Sequence, residues 1–165
     1  MSRQEKFGAE IQAGYQFAGE SIILGGAMLD GAPIQGLQVK VPLRTLNRHG
    51  LIAGATGTGK TKSLQVIAEQ LSSHGIPSLL MDIKGDLSGL AMPGSDHPKI
   101  QERCKAIGIE WRAHGSPVEF LTLSNEKGLR LRATVSEFGP VLFSRILGLN
   151  DTQSAWWARP AEPTR

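Results

Sequence analysis

Leu46-Asn47-Arg48-His49-Gly50-Leu51-Ile52-Ala53-Gly54-Ala55-Thr56-Gly57-Thr58-Gly59-Lys60-Thr61 is the stretch on which the fold reading turns. Its second half, Gly54 to Thr61, fits the phosphate-loop pattern G-x-x-x-x-G-K-[ST]. Each position has a physical task. The glycines let the backbone turn tightly and aim successive N–H groups at one point. Those N–H groups and the start of the following helix attract phosphate oxygens. Lys60 is placed to reach the β- and γ-phosphates, and the Thr61 hydroxyl to ligate Mg²⁺. A lysine at a helix start is unfavourable against the helix dipole unless an anion is present. A Gly-rich turn carrying an idle lysine is the plain alternative.

The flanks supply context. His49 to Ala53 is short and apolar, like a buried parallel strand. Lys60 to His74 reads as a helix, with Leu64, Ile67, Ala68 and Leu71 on one stripe, stopped by Gly75 with Pro77 beyond. Ser78 to Met81 is a second apolar run that ends at Asp82. Residues 49–82 therefore spell strand–turn–helix–turn–strand, a βαβ unit of about 30 residues. Ligands of an open α/β sheet sit beyond the carboxyl ends of strands, which puts Asp82, Lys84 and Asp86 near the phosphate loop. Asp82 has two open readings: a supporting or metal-water role at the nucleotide, or a turn aspartate capping backbone N–H groups. The adjacent glutamate of a hydrolytic base does not follow it.

Upstream, residues 1–19 are expected to form a loose or short helical start. Ser21–Leu29 reads as a strand, 31–36 as a turn-rich link, and Leu37–Leu43 alternates as a half-exposed strand, with Pro42 favouring an edge. These make a small β element ahead of the main sheet. Downstream, Ile100–Ile107 reads as a short helix ended by Gly108, Val118–Leu123 and Leu129–Val135 as strands, and Ser136–Leu147 as a helix with Ser136 as N-cap. The expected organisation is residues 1–45, an extension with the β element; 46–154, the phosphate-loop domain; and 155–165, a tail of different character.

Composition narrows the classes. The chain has 165 residues, 40% hydrophobic and 20% charged, which suits a globular domain and excludes bulk disorder. Its 20 glycines show no collagen-like period. A lone Cys104 excludes a disulfide scaffold and reads as an inert buried thiol. His49, His74, His97 and His114 share no metal-ligand spacing, so no metal beyond Mg²⁺ is expected. Trp111 reads as core rather than as a base-stacking platform. The net charge is +3. No acidic residue lies between Asp30 and Glu69, yet Lys40, Arg44, Arg48, Lys60 and Lys62 do, which suits an anion site or weak, salt-sensitive DNA binding. No segment reaches the ~18 apolar residues of a membrane span, and the expected compartment is the cytoplasm.

Three stretches together resemble one family. They are the opening stretch, then Met81-Asp82-Ile83-Lys84-Gly85-Asp86-Leu87-Ser88-Gly89, then Leu131-Arg132-Ala133-Thr134-Val135-Ser136-Glu137-Phe138-Gly139-Pro140 followed by Leu147-Gly148-Leu149-Asn150-Asp151-Thr152-Gln153-Ser154. They look like the HerA-like branch of the HerA/FtsK ATPases, over about residues 21–154. The resemblance implies an α/β P-loop NTPase with a RecA-like parallel sheet, ATP and Mg²⁺, ring-forming homo-oligomers, and DNA translocation or unwinding. It places Gly54, Ala55, Thr56, Gly57, Thr58, Gly59, Lys60 and Thr61 on the ATP phosphates, with Thr61 on the metal and Asp82 on the nucleotide side. Family members continue into further strands, an apolar-run Asp-Glu motif, a polar sensor and a charge-supplying arginine. The chain therefore reads as an N-terminal fragment that binds nucleotide with little or no turnover. A small nucleotide or metabolite kinase, using Arg130 and Arg132 as lid residues, and a non-catalytic nucleotide-binding remnant are the alternatives.

From Ala155 the sequence changes to Ala-Trp-Trp-Ala-Arg-Pro-Ala-Glu-Pro-Thr-Arg. Ser-Gly-Val-Val written TCC GGC GTG GTG becomes TCG GCG TGG TGG on loss of one C, which reads Ser-Ala-Trp-Trp. An out-of-frame tail is the expectation, and a natural disordered tail the alternative.

Overall fold

The computed structural model describes residues 1–157. The chain is α/β and divides into two compact units, 1–118 and from 119 onward.

A hairpin organises the first unit. Strand β1, Ser21–Leu29, pairs antiparallel with β2, Ala32–Pro42. Asp30 and Gly31 join them, both at positive φ, 51° and 82°. Two consecutive positive φ values give a turn whose twist matches that of the strands. The expected link at 31–36 is thus largely strand. The pairing register shifts between Ile23 and Gly25 and again between Gly26 and Met28, the second opposite a bulged part of β2 where Gly36 has φ 80°.

Three helices pack on this hairpin: α1 (Arg3–Gly14), α2 (Lys60–Ser73) and α3 (Pro98–Ile107). The start of α1 is fixed by Ser2 and Glu5, each bonding the other's backbone N–H. The end of α2 is a Schellman turn: Gly75, at φ 71°, donates to Ser72 O, and Ile76 donates to Leu71 O. On the α2 stripe Ala68 is buried, while Leu64, Ile67 and Leu71 are half-buried. Ile22, Ala27, Pro42, Ala68 and Leu87 are the buried apolar residues among those described. Ile22 is fully enclosed.

One polar clamp joins helix to hairpin. The Gln70 side chain accepts from Ile23 N–H at 2.7 Å and donates to Ile23 C=O at 2.8 Å. The amide of α2 thereby supplies β1 with the donor and acceptor that a neighbouring strand would present.

Several expected strands do not form. Residues 49–53 and 78–82 are irregular, and among the described residues no strand pairs with them. Leu51, Leu79 and Met81 are 89%, 80% and 91% exposed. The physical reason is that an apolar run sets a capacity for burial, whereas a parallel strand also needs ladder partners at its edges and cover on both faces. Within the described chain those partners are lacking. The βαβ unit read from residues 49–82 is therefore present only as its helix and turns.

In the second unit, β3 (Leu121–Thr122) and β4 (Leu129–Arg130) form a parallel pair far shorter than the expected 118–123 and 129–135. Helix α4 spans Val135–Leu147, and α5 spans Asp151–Trp157. The N-cap of α4 is Thr134 rather than Ser136, because the Glu137 carboxylate reaches back to the Thr134 N–H at 2.7 Å and hydroxyl at 3.0 Å. Gly139, at φ 65° and ψ 164°, breaks α4 just before Pro140. The tail expected from 155 onward falls partly in α5 through Trp157, and 158–165 lie outside the described residues. No helix among the described residues is long and apolar enough to cross a membrane.

Candidate functional site

The stretch from Gly54 to Gly59 is an exposed irregular turn that delivers the chain into α2. Gly57 and Gly59 have φ of 81° and 93°, a region that side-chain-bearing residues rarely adopt. Gly59 is the N-cap of α2 and provides no side-chain cap, so the first-turn N–H groups keep no side-chain acceptor. A Cβ on Gly54 would lie 2.6 Å from Thr58 Oγ1, and that hydroxyl donates to Ala55 O at 2.8 Å. Position 54 is thus held free of a side chain by the closure of the turn over it.

Lys60 is half-buried and folds back over the turn. Its Nζ donates to Gly54 O at 2.8 Å and to Ala55 O at 2.7 Å. The ammonium therefore sits on the loop's own carbonyl dipoles, which offset the unfavourable field at the helix start. Thr61 is half-buried in the first turn of α2, and Thr56 and Thr58 are exposed. Lys40 is half-buried, and Arg44, Arg48 and Lys62 are exposed.

Asp82 is engaged by its own turn. Oδ1 accepts from Lys84 N at 3.1 Å and Gly85 N at 2.8 Å, and Oδ2 accepts from Leu87 N at 2.9 Å. Of its two sequence readings, the capping arrangement is the one formed. Gly85, at φ 78°, permits the reversal, and Ser88 Oγ donates to Gly85 O at 2.7 Å. The Leu87 N–H, then those of Gly85 and Lys84, hold the Asp82 carboxyl below its usual value near 3.8. A lowered carboxylate pKa stabilises the turn above the usual value, and that contribution is lost as pH falls through the lowered one. The amide NMR shifts of Lys84, Gly85 and Leu87 are expected to titrate together with a midpoint below 3.8. In Asp82→Asn the same shifts stay flat across that range, and a wild-type midpoint at or above the usual value overturns the assignment.

The turn does not stand alone. Gln65, on α2, donates from Nε2 to Asp86 O at 2.8 Å. This contact and the Gln70 clamp were not legible in the sequence, because glutamines carry no local signal for a long-range backbone partner. Cys104, on α3, is half-buried rather than fully buried. Trp111 is half-buried, with Cζ2 near the position a Cβ on Gly94 would take. Arg130 and Arg132, the lid residues of the kinase alternative, are exposed in the second unit. No group of three or more His, Cys, Asp or Glu able to hold a metal occurs among the described residues.

Compared with known proteins, residues 28–158 match the family model described as helicase HerA-like C-terminal. No curated protein and no solved structure matched the chain.

Proposed function

The chain belongs to the helicase HerA-like C-terminal family, and on that premise we propose that residues 54–61 bind the phosphates of ATP with Mg²⁺, within a P-loop domain of the RecA-like type. The observation that carries this reading is the turn itself. Two positive-φ glycines deliver the backbone onto an uncapped helix start, with the Lys60 ammonium parked beside it. Phosphate oxygens would replace the Gly54 and Ala55 carbonyls as its acceptors.

The donor set fits the implied groups. A loop without side chains at 54, 57 and 59 admits close approach of phosphate to backbone N–H. Thr61 offers one hydroxyl in the first helical turn, which suits an Mg²⁺ ion that arrives with phosphates and keeps its waters. Bound there, the magnesium nucleotide would supply a phosphoanhydride bond whose hydrolysis could drive movement along DNA by a ring of subunits. In this chain Lys60 neutralises phosphate charge, and the α2 start orients the phosphates. Turnover would be slow unless an arginine reaches the transition state, a group that contributes ~10³–10⁵ in rate.

Titration of the purified chain with a fluorescent ATP analogue, with and without Mg²⁺, tests the site. Saturable binding that weakens without Mg²⁺ supports it, and no binding overturns it. ATPase assays with and without DNA test the rest, with no stimulation expected.

A further inference from the structure

Residues 82–88 follow an apolar run with no ladder, so the turn is not held by a sheet. Its interior is closed by the Asp82 carboxylate. Besides the buried Leu87 side chain, its hydrogen-bonded attachment to a regular element is the Gln65 amide, which holds Asp86 O from the face of α2. Gln65 lies four residues beyond Thr61, one helical turn or about 6 Å along the axis. The same helix begins at Lys60, whose ammonium changes acceptors when phosphate enters.

Resting on the nucleotide site proposed above, we infer that Gln65 is a positioning residue that couples occupancy of the phosphate loop to the order of the Asp82–Leu87 turn. Phosphate bound at the start of α2 fixes the first helical turns. A segment held one turn further along by the Gln65 amide, with Leu87 buried beside it, is ordered with them, and loses the added order when the amide donor is removed. The coupling is reciprocal: a turn held in place on α2 favours the bound state of the loop. Gln65 touches no phosphate in this scheme. It acts through the Asp86 backbone, and the acidic residues of the turn ride on it.

Hydrogen exchange of the full chain, read on a peptide covering 82–90, tests this. Magnesium and a slowly hydrolysed ATP analogue are added to saturation, with occupancy followed by anisotropy of a fluorescent nucleotide. In the wild type, nucleotide is expected to slow exchange at 83–88 by about fivefold or more. Gln65→Met keeps the length but lacks the donor. It is expected to saturate with nucleotide while exchange at 83–88 stays at its nucleotide-free rate. Gln65→Lys restores an N–H donor within reach of Asp86 O and is expected to restore the slowing. A purely packing role for Gln65 predicts no such split between Met and Lys. Slowing in Gln65→Met, or none in a folded Gln65→Lys, overturns the inference. So does a wild type that binds nucleotide without slowing, and that result leaves the nucleotide site standing. A wild type that binds no nucleotide removes the site and the coupling together.

Discussion

Lys60→Ala is expected to lower nucleotide affinity on the order of a hundredfold or more, while the far-UV circular dichroism stays that of the wild type. Hydrogen bonds to charged groups contribute about 1.5–3 kcal/mol each. Lys60 is placed to make two, to the β- and γ-phosphates, and every 1.4 kcal/mol is about tenfold in affinity. The fold survives for a structural reason. The Lys60 amine bonds only Gly54 O and Ala55 O, and both of those residues are exposed, so water takes over as donor. Lys62→Ala is the control, because Lys62 is exposed in the same helical turn and is assigned no phosphate contact. Equal affinities of wild type and Lys60→Ala for the fluorescent analogue would remove the phosphate-loop assignment. Equal losses in both variants would reduce it to a general effect of positive charge.

Ile22→Asp is expected to abolish cooperative unfolding of the first unit. Ile22 is the one large side chain fully enclosed among the described residues, and the other buried apolar residues are two alanines, Pro42 and Leu87. Placing an unpaired carboxylate there costs several kcal/mol, against a total stability of about 5–15 kcal/mol for an ordinary domain. Ile22→Val separates packing from charge, with an expected loss of about 0.5–1.5 kcal/mol. A thermal melt by circular dichroism reads both. An unchanged melt for Ile22→Asp would show that α2 and the hairpin do not share a core at this point.

Local chemistry made some of the molecule legible before the structure. The glycine turn at 54–59, α2 and its stop at Gly75 were all readable, because glycine placement and helical periodicity are local. The strand Ser21–Leu29 was readable for the same reason. Asp30-Gly31 between two apolar runs was itself a hairpin signal, masked by Gly25, Gly26 and Gly36 on either side. What was not legible depends on distant partners. Leu79 and Met81 lie in the apolar run read as a strand, yet are 80% and 91% exposed, since an apolar run names no ladder partner. The capping bonds of Asp82 were undecidable from residue type, because they rest on a backbone reversal at Gly85 that only geometry reveals.

The glutamine on α2 that bonds both main-chain groups of Ile23 also sets a boundary to sheet growth. A β-hairpin with a bare outer rim is a template on which other chains can crystallise into fibres. At Ile23 that rim is sealed by an amide belonging to a helix, which cannot pass the pattern on to a further strand. On the other strand Pro33 and Pro42 offer no N–H at all. To extend the sheet at Ile23, an incoming chain must first pry α2 loose. Resistance to self-association therefore depends on the anchoring of the helix that begins at the Gly54–Gly59 turn.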